Sequence, residues 1–139
     1  MALTNDPVFA QTPKTSGVEF AASTHTSDMD PSTTTNRIVI VTAGSDGAIV
    51  TSLKYFGEVT VTAQKVCLWL QPLGTGDMFL LDEKLQAAYT MATTTAQDAV
   101  VFVDKTDPNT AIRLAGTDKL FMSHHVDLQG MGVAEFTNY

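Results

Sequence analysis

The sequence predicts an all-β protein, an antiparallel β-sandwich with the jelly roll as one form of it, preceded by an extended N-terminal arm. Three observations support this prediction. Charged residues make up only 17% of the chain while threonine is unusually frequent. Short apolar or alternating segments follow one another between turns, and no segment carries an apolar stripe at helical spacing. Short strands joined by such turns are typical of sandwiches and barrels, and 139 residues suit one domain with its own core.

The domain organisation follows from a change in composition near residue 37. Residues 1–36 contain three prolines and many serines and threonines, and their apolar residues occur singly without a sustained period. We expect this segment to be an extended arm with neither a helix nor a regular sheet, or alternatively a floppy terminus. Residues 37–139 are the predicted sandwich domain. The arm residues predicted to bind a partner are Leu3, Val8, Phe9, Pro13, Val18 and Phe20.

The first predicted strand, RIVIVT at 37–42, is β-branched and apolar on both faces, and the Gly-containing stretch 44–47 ends it as a turn. From Ile49 to Ala63 mostly apolar and mostly polar residues alternate, which is the pattern of a strand with one buried face. Gly57 lies in the middle of this run. It predicts a bulge or bend that divides the run in two.

The segment KVCLWLQ at 65–71 is apolar on both faces and predicts a central strand that is covered on both sides. With the turn at 72–77 and the strand MFLLDE at 78–83 it forms a predicted hairpin. Residues 85–93 alternate again, and a short helix is the alternative because Leu, Gln and Ala tolerate either state. The remaining predicted strands are 99–103, 111–115, 119–126 and 131–136.

The adjacent residues His124 and His125 raise the question of a metal or acid–base site. On a strand, neighbouring side chains point to opposite faces, so the two histidines are not expected to converge on one ion. His124 shares its face with apolar residues and is a candidate for the core or an interface. His125 shares its face with Ser123 and Asp127. A metal site would need a third ligand such as the distant His25, and we favour structural roles for both histidines.

Other features that often carry chemistry have simpler interpretations. The Gly-rich stretches 44–47 and 74–77 lack the Lys-Ser/Thr ending and the following helix of a phosphate-binding loop. No serine lies in a nucleophile-elbow sequence. Cys67 lies in an apolar run and is predicted to be a buried free thiol, typical of a protein made in a reducing cytoplasm. We therefore expect no enzyme activity, no cofactor and no metal.

The charge of the chain bears on its partners. The formal net charge is −7, and the eight lysines and arginines are scattered rather than gathered in a basic stripe. Neutralising the phosphates of a nucleic acid requires such a stripe, so we expect no nucleic-acid partner. We also expect no membrane partner, because no apolar run has the length of a membrane span. The first residues lack the pattern of a signal peptide.

Short motifs occur in a characteristic order along the chain. They are Thr12-Pro13-Lys14-Thr15, Thr42-Ala43-Gly44-Ser45-Asp46-Gly47, Val61-Thr62-Ala63, Val66-Cys67-Leu68-Trp69-Leu70, Gly74-Thr75-Gly76-Asp77, then Leu120, Ser123, His125, Val133, Ala134 and Glu135. This succession resembles a family of small virion-associated proteins of bacteriophages and prophages. The resemblance covers most of the chain, and we carry no catalytic site over from the family.

The resemblance implies a structural protein of a tailed-phage head, a decoration (cement) protein on the capsid surface. Its partner would be the major capsid protein, and the arm would contact capsid subunits. It also implies a homo-oligomer, with a trimer expected at three-fold positions, that is made in the bacterial cytoplasm and located on the virion. The alternatives are a tail, fibre or head–tail connector component, a ligand-binding β-sandwich module, and a metal-dependent enzyme on a jelly-roll scaffold.

Overall fold

The computed structural model describes residues 12–20, 37–73, 76–126 and 129–139. Nine strands in these ranges form two antiparallel sheets that pack against each other, so the prediction of an all-β sandwich is confirmed. The strands are β1 (Thr12–Phe20), β2 (Ile38–Thr42), β3 (Ala48–Gly57), β4 (Gln64–Gln71), β5 (Phe79–Gln86), β6 (Val100–Val103), β7 (Ile112–Leu114), β8 (Lys119–His124) and β9 (Gly130–Asn138). Within the described ranges, no helix has the length and apolar character needed to span a lipid bilayer.

The order of the strands is that of a jelly roll. One sheet has the order β1-β9-β3-β6, with the short strand β7 also paired to β3, and the other has the order β2-β8-β4-β5. With β7 set aside, the strands pair from the chain ends inward: β1 with β9, β2 with β8, β3 with β6 and β4 with β5. Such nested antiparallel pairs, divided between two sheets, define the double Greek key of the jelly roll.

The core lies between the sheets and draws on both of them. Leu53 and Tyr55 come from β3 in the five-stranded sheet, and Leu68 and Met122 come from β4 and β8 in the other. Burying such side chains is the main favourable term in the stability of the fold.

The strand predictions hold at most positions. The central strand is confirmed, because β4 lies between β5 and β8 and its residues 66–69 are buried. The predicted turn at 44–47 is also present, and Gly47 has the positive φ of 109° that glycine tolerates best. The helix alternative for residues 85–93 is wrong. β5 ends at Gln86, and Tyr89 pairs with Val61 across an isolated antiparallel bridge.

The predicted division of the long alternating run at Gly57 is confirmed, because β3 ends there and a bend follows at residues 58–59. The run also has a bulge that was not predicted, between Val50 and Ser52, where the buried positions change phase. A Cβ on Gly57 would come within 2.8 Å of Gln86 Nε2 and 2.9 Å of Val61. Close packing of side chains over the backbone, not a bulge, therefore requires glycine here.

The N-terminal arm needs the largest correction. Residues 12–20 form β1, which pairs with β9 along its whole length, and Phe20 is only 1% exposed in the core. The prediction that residues 1–36 form no regular sheet is wrong for this segment. Its hydrogen bonds come from a strand more than a hundred residues away in sequence. The rest of the predicted arm, 1–11 and 21–36, lies outside the described residues.

Candidate partner-binding surface

The six residues predicted to bind a partner are distributed unevenly in the structure. Leu3, Val8 and Phe9 lie outside the described residues. Pro13 is exposed on β1, whereas Val18 is partly buried and packs against the core. Phe20 is enclosed in the protein's own core and contacts Tyr55 edge-to-face. Among the described members of the set, Pro13 alone lies fully on the surface.

A row of apolar side chains crosses the outer face of the four-stranded sheet. Val39 on β2 is directly opposite Phe121 on β8, Phe121 is opposite Trp69 on β4, and Trp69 is opposite Leu80 on β5. Residues directly opposite in a sheet share a face. The neighbours of Trp69 along β4, Leu68 and Leu70, pack into the core, so the row faces outward. We call these four residues the apolar band.

The apolar band ends on an edge strand that is itself apolar. Among the described strands β5 pairs only with β4, and a bulge opposite Leu68 and Trp69 leaves Leu81 as an extra residue between Leu80 and Asp82. Three consecutive apolar side chains are consequently exposed at the edge: Phe79 by 53%, Leu80 by 42% and Leu81 by 43%. Exposed apolar side chains grouped on an edge strand mark a surface suited to another protein.

Polar groups border the apolar band. The Arg37 guanidinium lies 4.8 Å from the centre of the Phe121 ring in a cation–π contact. Trp69 Nε1 donates a hydrogen bond of 2.8 Å to Ser123 Oγ, which fixes the orientation of the indole. Lys65 and Glu83 form an exposed salt bridge of 3.1 Å. An apolar centre with a polar rim is the usual anatomy of a protein–protein interface.

The two histidines occupy opposite faces, as predicted. His124 is fully buried between the sheets, where its Nδ1 lies 2.6 Å from the hydroxyl of Tyr55. His125 lies on the outer side, with Nε2 3.4 Å from the Sγ of Cys67. The two imidazoles therefore do not share a ligand. Asp127 and His25, the other members of the hypothetical metal site, lie outside the described residues.

Cys67, the single cysteine of the chain, is buried, as expected from its apolar neighbours. Burial, reinforced by the nearby Glu83 carboxylate, raises the pKa of the Cys67 thiol to about 11. The thiol is therefore protonated at neutral pH, whereas nucleophiles and metal ligands use the thiolate. In the part of the chain that the structure describes, no three His, Cys, Asp or Glu side chains are grouped so that they could hold a metal ion.

The apolar band is not among the residues predicted from the sequence. The run Met78-Phe79-Leu80-Leu81 indicates apolar residues on the outward face, because four consecutive apolar residues leave at least one apolar side chain on each face of a strand. Which faces are covered depends on the pairing of four strands that are distant in sequence. No local pattern contains that information.

No model of a known protein family matches the chain, and no curated protein is significantly similar to it.

Proposed function

We propose that this chain is a structural protein of a tailed-bacteriophage virion, a decoration (cement) protein that binds the outer surface of the head and stabilises it. The observation that carries the proposal is the apolar band, which crosses all four strands of one sheet, exposes Val39 and Leu80 while Trp69 is only 5% exposed, and ends at the exposed apolar edge of β5. The family resemblance of the sequence supplies the identity of the partner, a major capsid protein.

The chemistry of the surface suits such a partner. The side chains of Val39, Phe121 and Leu80 supply apolar area that a capsid subunit would remove from water. The backbone at the outer edge of β5 can pair with an extended segment of the subunit, as in other cases of strand addition. The polar rim, with Arg37 and the Lys65–Glu83 pair, would fix the register of the complex.

Two general properties agree with a position outside the shell. A net charge of −7 favours the outer surface, because packaged DNA would repel an acidic protein from the interior. Many identical copies on a symmetric lattice convert weak single contacts into stable attachment. The jelly roll occurs in viral capsid proteins but also in lectins and cupins, so it is compatible with the proposal without deciding it.

The N-terminal residues and the oligomeric state complete the proposal. Leu3, Val8, Phe9 and Pro13 would contact capsid subunits beside the sandwich. A homotrimer at the three-fold positions of the shell would match the symmetry of its partner.

The deciding experiment is to purify virions and to measure the copy number of this chain relative to the major capsid protein. A decoration protein is expected in a fixed ratio set by capsid symmetry. A low copy number, fixed by the symmetry of the tail or portal, would assign it to the tail, a fibre or the head–tail connector instead. Absence from the particle would exclude a virion role. Cross-linking of intact heads would then identify the subunit that contacts the apolar band.

A further inference from the structure

The sheet edge formed by β5 differs from the other edges in the described part of the chain. β1 carries Pro13, which has no N–H to donate, and β2 has only five residues with a bulge among them. β6 has four residues, and its Val101 carbonyl oxygen accepts a hydrogen bond of 2.7 Å from Lys84 Nζ. Short, bulged or proline-bearing edges resist pairing with another chain. β5 has eight residues, six of them exposed, and from Asp82 to Gln86 its pairing with β4 is regular.

The backbone groups of two β5 residues point out of the sheet. The carbonyl oxygen of Lys65 on β4 accepts a hydrogen bond of 3.1 Å from the N–H of His125, so the backbone of Lys65 faces the side of β8. Leu85 is directly opposite Lys65. Because opposite residues of an antiparallel pair either bond to each other or both point away, the N–H and C=O of Leu85 point away from β4. The same holds for Glu83, two residues earlier, whereas Lys84 between them faces β4.

The side chains of the same two residues lie on the outer face of the sheet. Leu85 is 69% exposed, and the Glu83 carboxylate lies at the surface, 3.1 Å from Lys65 Nζ. A strand added beside β5 would place its own side chains next to these two. The carboxylate has room for a second cation besides Lys65, because its two oxygens offer about four acceptor sites. The best match is therefore a basic residue beside Glu83 and, two positions along the added strand, an apolar residue beside Leu85.

Two copies of β5 match each other poorly. In an antiparallel pair related by a two-fold axis, an axis at Glu83 places two carboxylates directly opposite, and an axis at Lys84 places two ammonium groups opposite. Like charges in directly opposite positions destabilise a sheet. An axis at Leu85 leaves the pairing short, because β5 ends one residue later. The bulge at Leu81 interrupts registers centred nearer the start of the strand.

The rest of this chain does not supply the basic residue. The ranges outside the described residues, 1–11, 21–36, 74–75 and 127–128, contain neither lysine nor arginine. The chain as a whole has a net charge of −7. A basic segment is therefore expected from a different protein, and the opposite charges would also speed the encounter.

We propose that the β5 edge binds an extended basic segment of the capsid subunit, which adds to the four-stranded sheet as a fifth strand with a lysine or arginine beside Glu83 and an apolar residue beside Leu85. The identity of this partner rests on the proposed function, whereas its chemistry rests on the edge itself. Backbone pairing supplies affinity, and the alternation of basic and apolar side chains supplies specificity. The Glu83 carboxylate that opposes self-pairing thus selects a partner of opposite charge.

The first test is residue-resolved hydrogen exchange of the full-length protein, free and bound to purified heads that lack it. In the free protein the amide hydrogens of Glu83 and Leu85 should exchange rapidly, whereas those of Lys84 and Gln86 are bonded to β4 and should exchange slowly. Strand addition should slow the exchange at Glu83 and Leu85 by about a hundredfold or more.

The outcomes of this test separate the strand addition from the decoration role. If heads bind the protein but its Glu83 and Leu85 amides exchange as fast as in the free protein, the decoration role stands and the strand addition is overturned. Slow exchange that appears at high protein concentration without heads would assign the edge to a second copy and overturn it too. If the unaltered protein does not bind heads, the decoration role itself is refuted.

Charge reversal tests the basic residue of the partner. Glu83→Lys should weaken binding to heads by about tenfold or more, because two cations would then lie side by side. Asp46→Lys is the matched control, since it reverses an exposed carboxylate in the turn between β2 and β3 and should bind as the unaltered protein does. Glu83→Gln removes the pair with Lys65 without adding a cation, and it should bind more tightly than Glu83→Lys. Equal binding by Glu83→Lys and the unaltered protein would overturn the proposal, and the exchange test remains decisive if Glu83→Lys does not fold.

Discussion

The hydroxyl oxygen of Tyr55 lies 2.6 Å from Nδ1 of His124, and both side chains are fully buried between the sheets. Burial raises the pKa of Tyr55 well above its usual range, so the phenol keeps its proton and forms a hydrogen bond with the imidazole. This hydrogen bond joins β3 of one sheet to β8 of the other.

Tyr55→Phe should therefore destabilise the fold. It leaves the ring packing in place but removes the hydrogen-bonding hydroxyl beside a buried nitrogen, which costs about 1–3 kcal/mol. Urea unfolding monitored by the fluorescence of Trp69 measures the change, since this is the single tryptophan of the chain. Tyr89→Phe is the matched control, because the Tyr89 hydroxyl is bonded at the surface. Equal losses in the two variants would contradict a special role for the buried pair.

The stability of the protein should fall in alkaline solution, between pH 9.0 and about 11, because of Cys67. Its pKa is raised from the ordinary 9.0 to about 11 in the fold, so the unfolded chain loses the thiol proton at a lower pH than the folded one. The contribution of the protonated Cys67 thiol to the free energy of unfolding is complete below pH 9.0 and is lost as the pH rises towards about 11. The decrease should be on the order of 2 kcal/mol.

The measurement is the free energy of unfolding at several values between pH 8 and about 11, the upper limit being the pKa of Cys67. Cys67→Ala should lower the stability at all values but reduce the slope with pH, while the titration of Tyr55 remains in both proteins. An unchanged slope in Cys67→Ala would show that other groups cause the alkaline loss. Slow reaction of the native thiol with iodoacetamide at neutral pH should accompany the raised pKa.

Two glycines on paired strands should respond differently to alanine. A Cβ on Gly130 would overlap the ring and hydroxyl of Tyr55, whereas a Cβ on Gly17 would meet nothing within 4 Å. Gly130→Ala forces Tyr55 out of its position and should cost about 3 kcal/mol or prevent folding. Gly17→Ala should leave stability unchanged or increase it by up to about 1 kcal/mol, because alanine restricts the unfolded chain. Thermal unfolding of both variants compares them directly, and similar losses would contradict the packing at Gly130.

Local patterns in the sequence account for part of this fold. The two-sided apolar run of β4 predicts its central place, and strand geometry alone predicts opposite faces for His124 and His125. β1 cannot be predicted from its own sequence, because two apolar residues, Val18 and Phe20, are too few to define the alternation of a strand. Its pairing partner, β9, lies at the far end of the chain. The phase change at the Val50–Ser52 bulge is likewise set by the partner strand.

The surface and the β5 edge depend even more on distant pairing. The apolar band exists only because Val39, Phe121, Trp69 and Leu80 come into register from four separate strands. The outward direction of the Leu85 backbone follows from the hydrogen bond between Lys65 and His125 on the far side of β4. Each of these residues is unremarkable within its own segment.

A lysine in place of Leu80, at the exposed edge of β5, should weaken binding to the capsid while the protein still folds. Leu80 is 42% exposed, so Leu80→Lys should change the stability of the isolated protein by no more than about 1 kcal/mol. In the proposed complex the same position is desolvated, and an unpaired ammonium there should weaken binding to purified heads by about a hundredfold. Co-sedimentation of the protein with heads that lack it measures the affinity.

Asn109→Lys is the control for this prediction, because it places the same charge at an exposed position between β6 and β7, on the other sheet. It should bind heads as the unaltered protein does, since Asn109 belongs neither to the apolar band nor to the groove beside Pro13. If Asn109→Lys weakened binding as much as Leu80→Lys, added charge and not loss of the apolar contact would be the cause. If Leu80→Lys bound normally, the capsid contact would have to lie elsewhere, with β1 and Pro13 as the next surface to test.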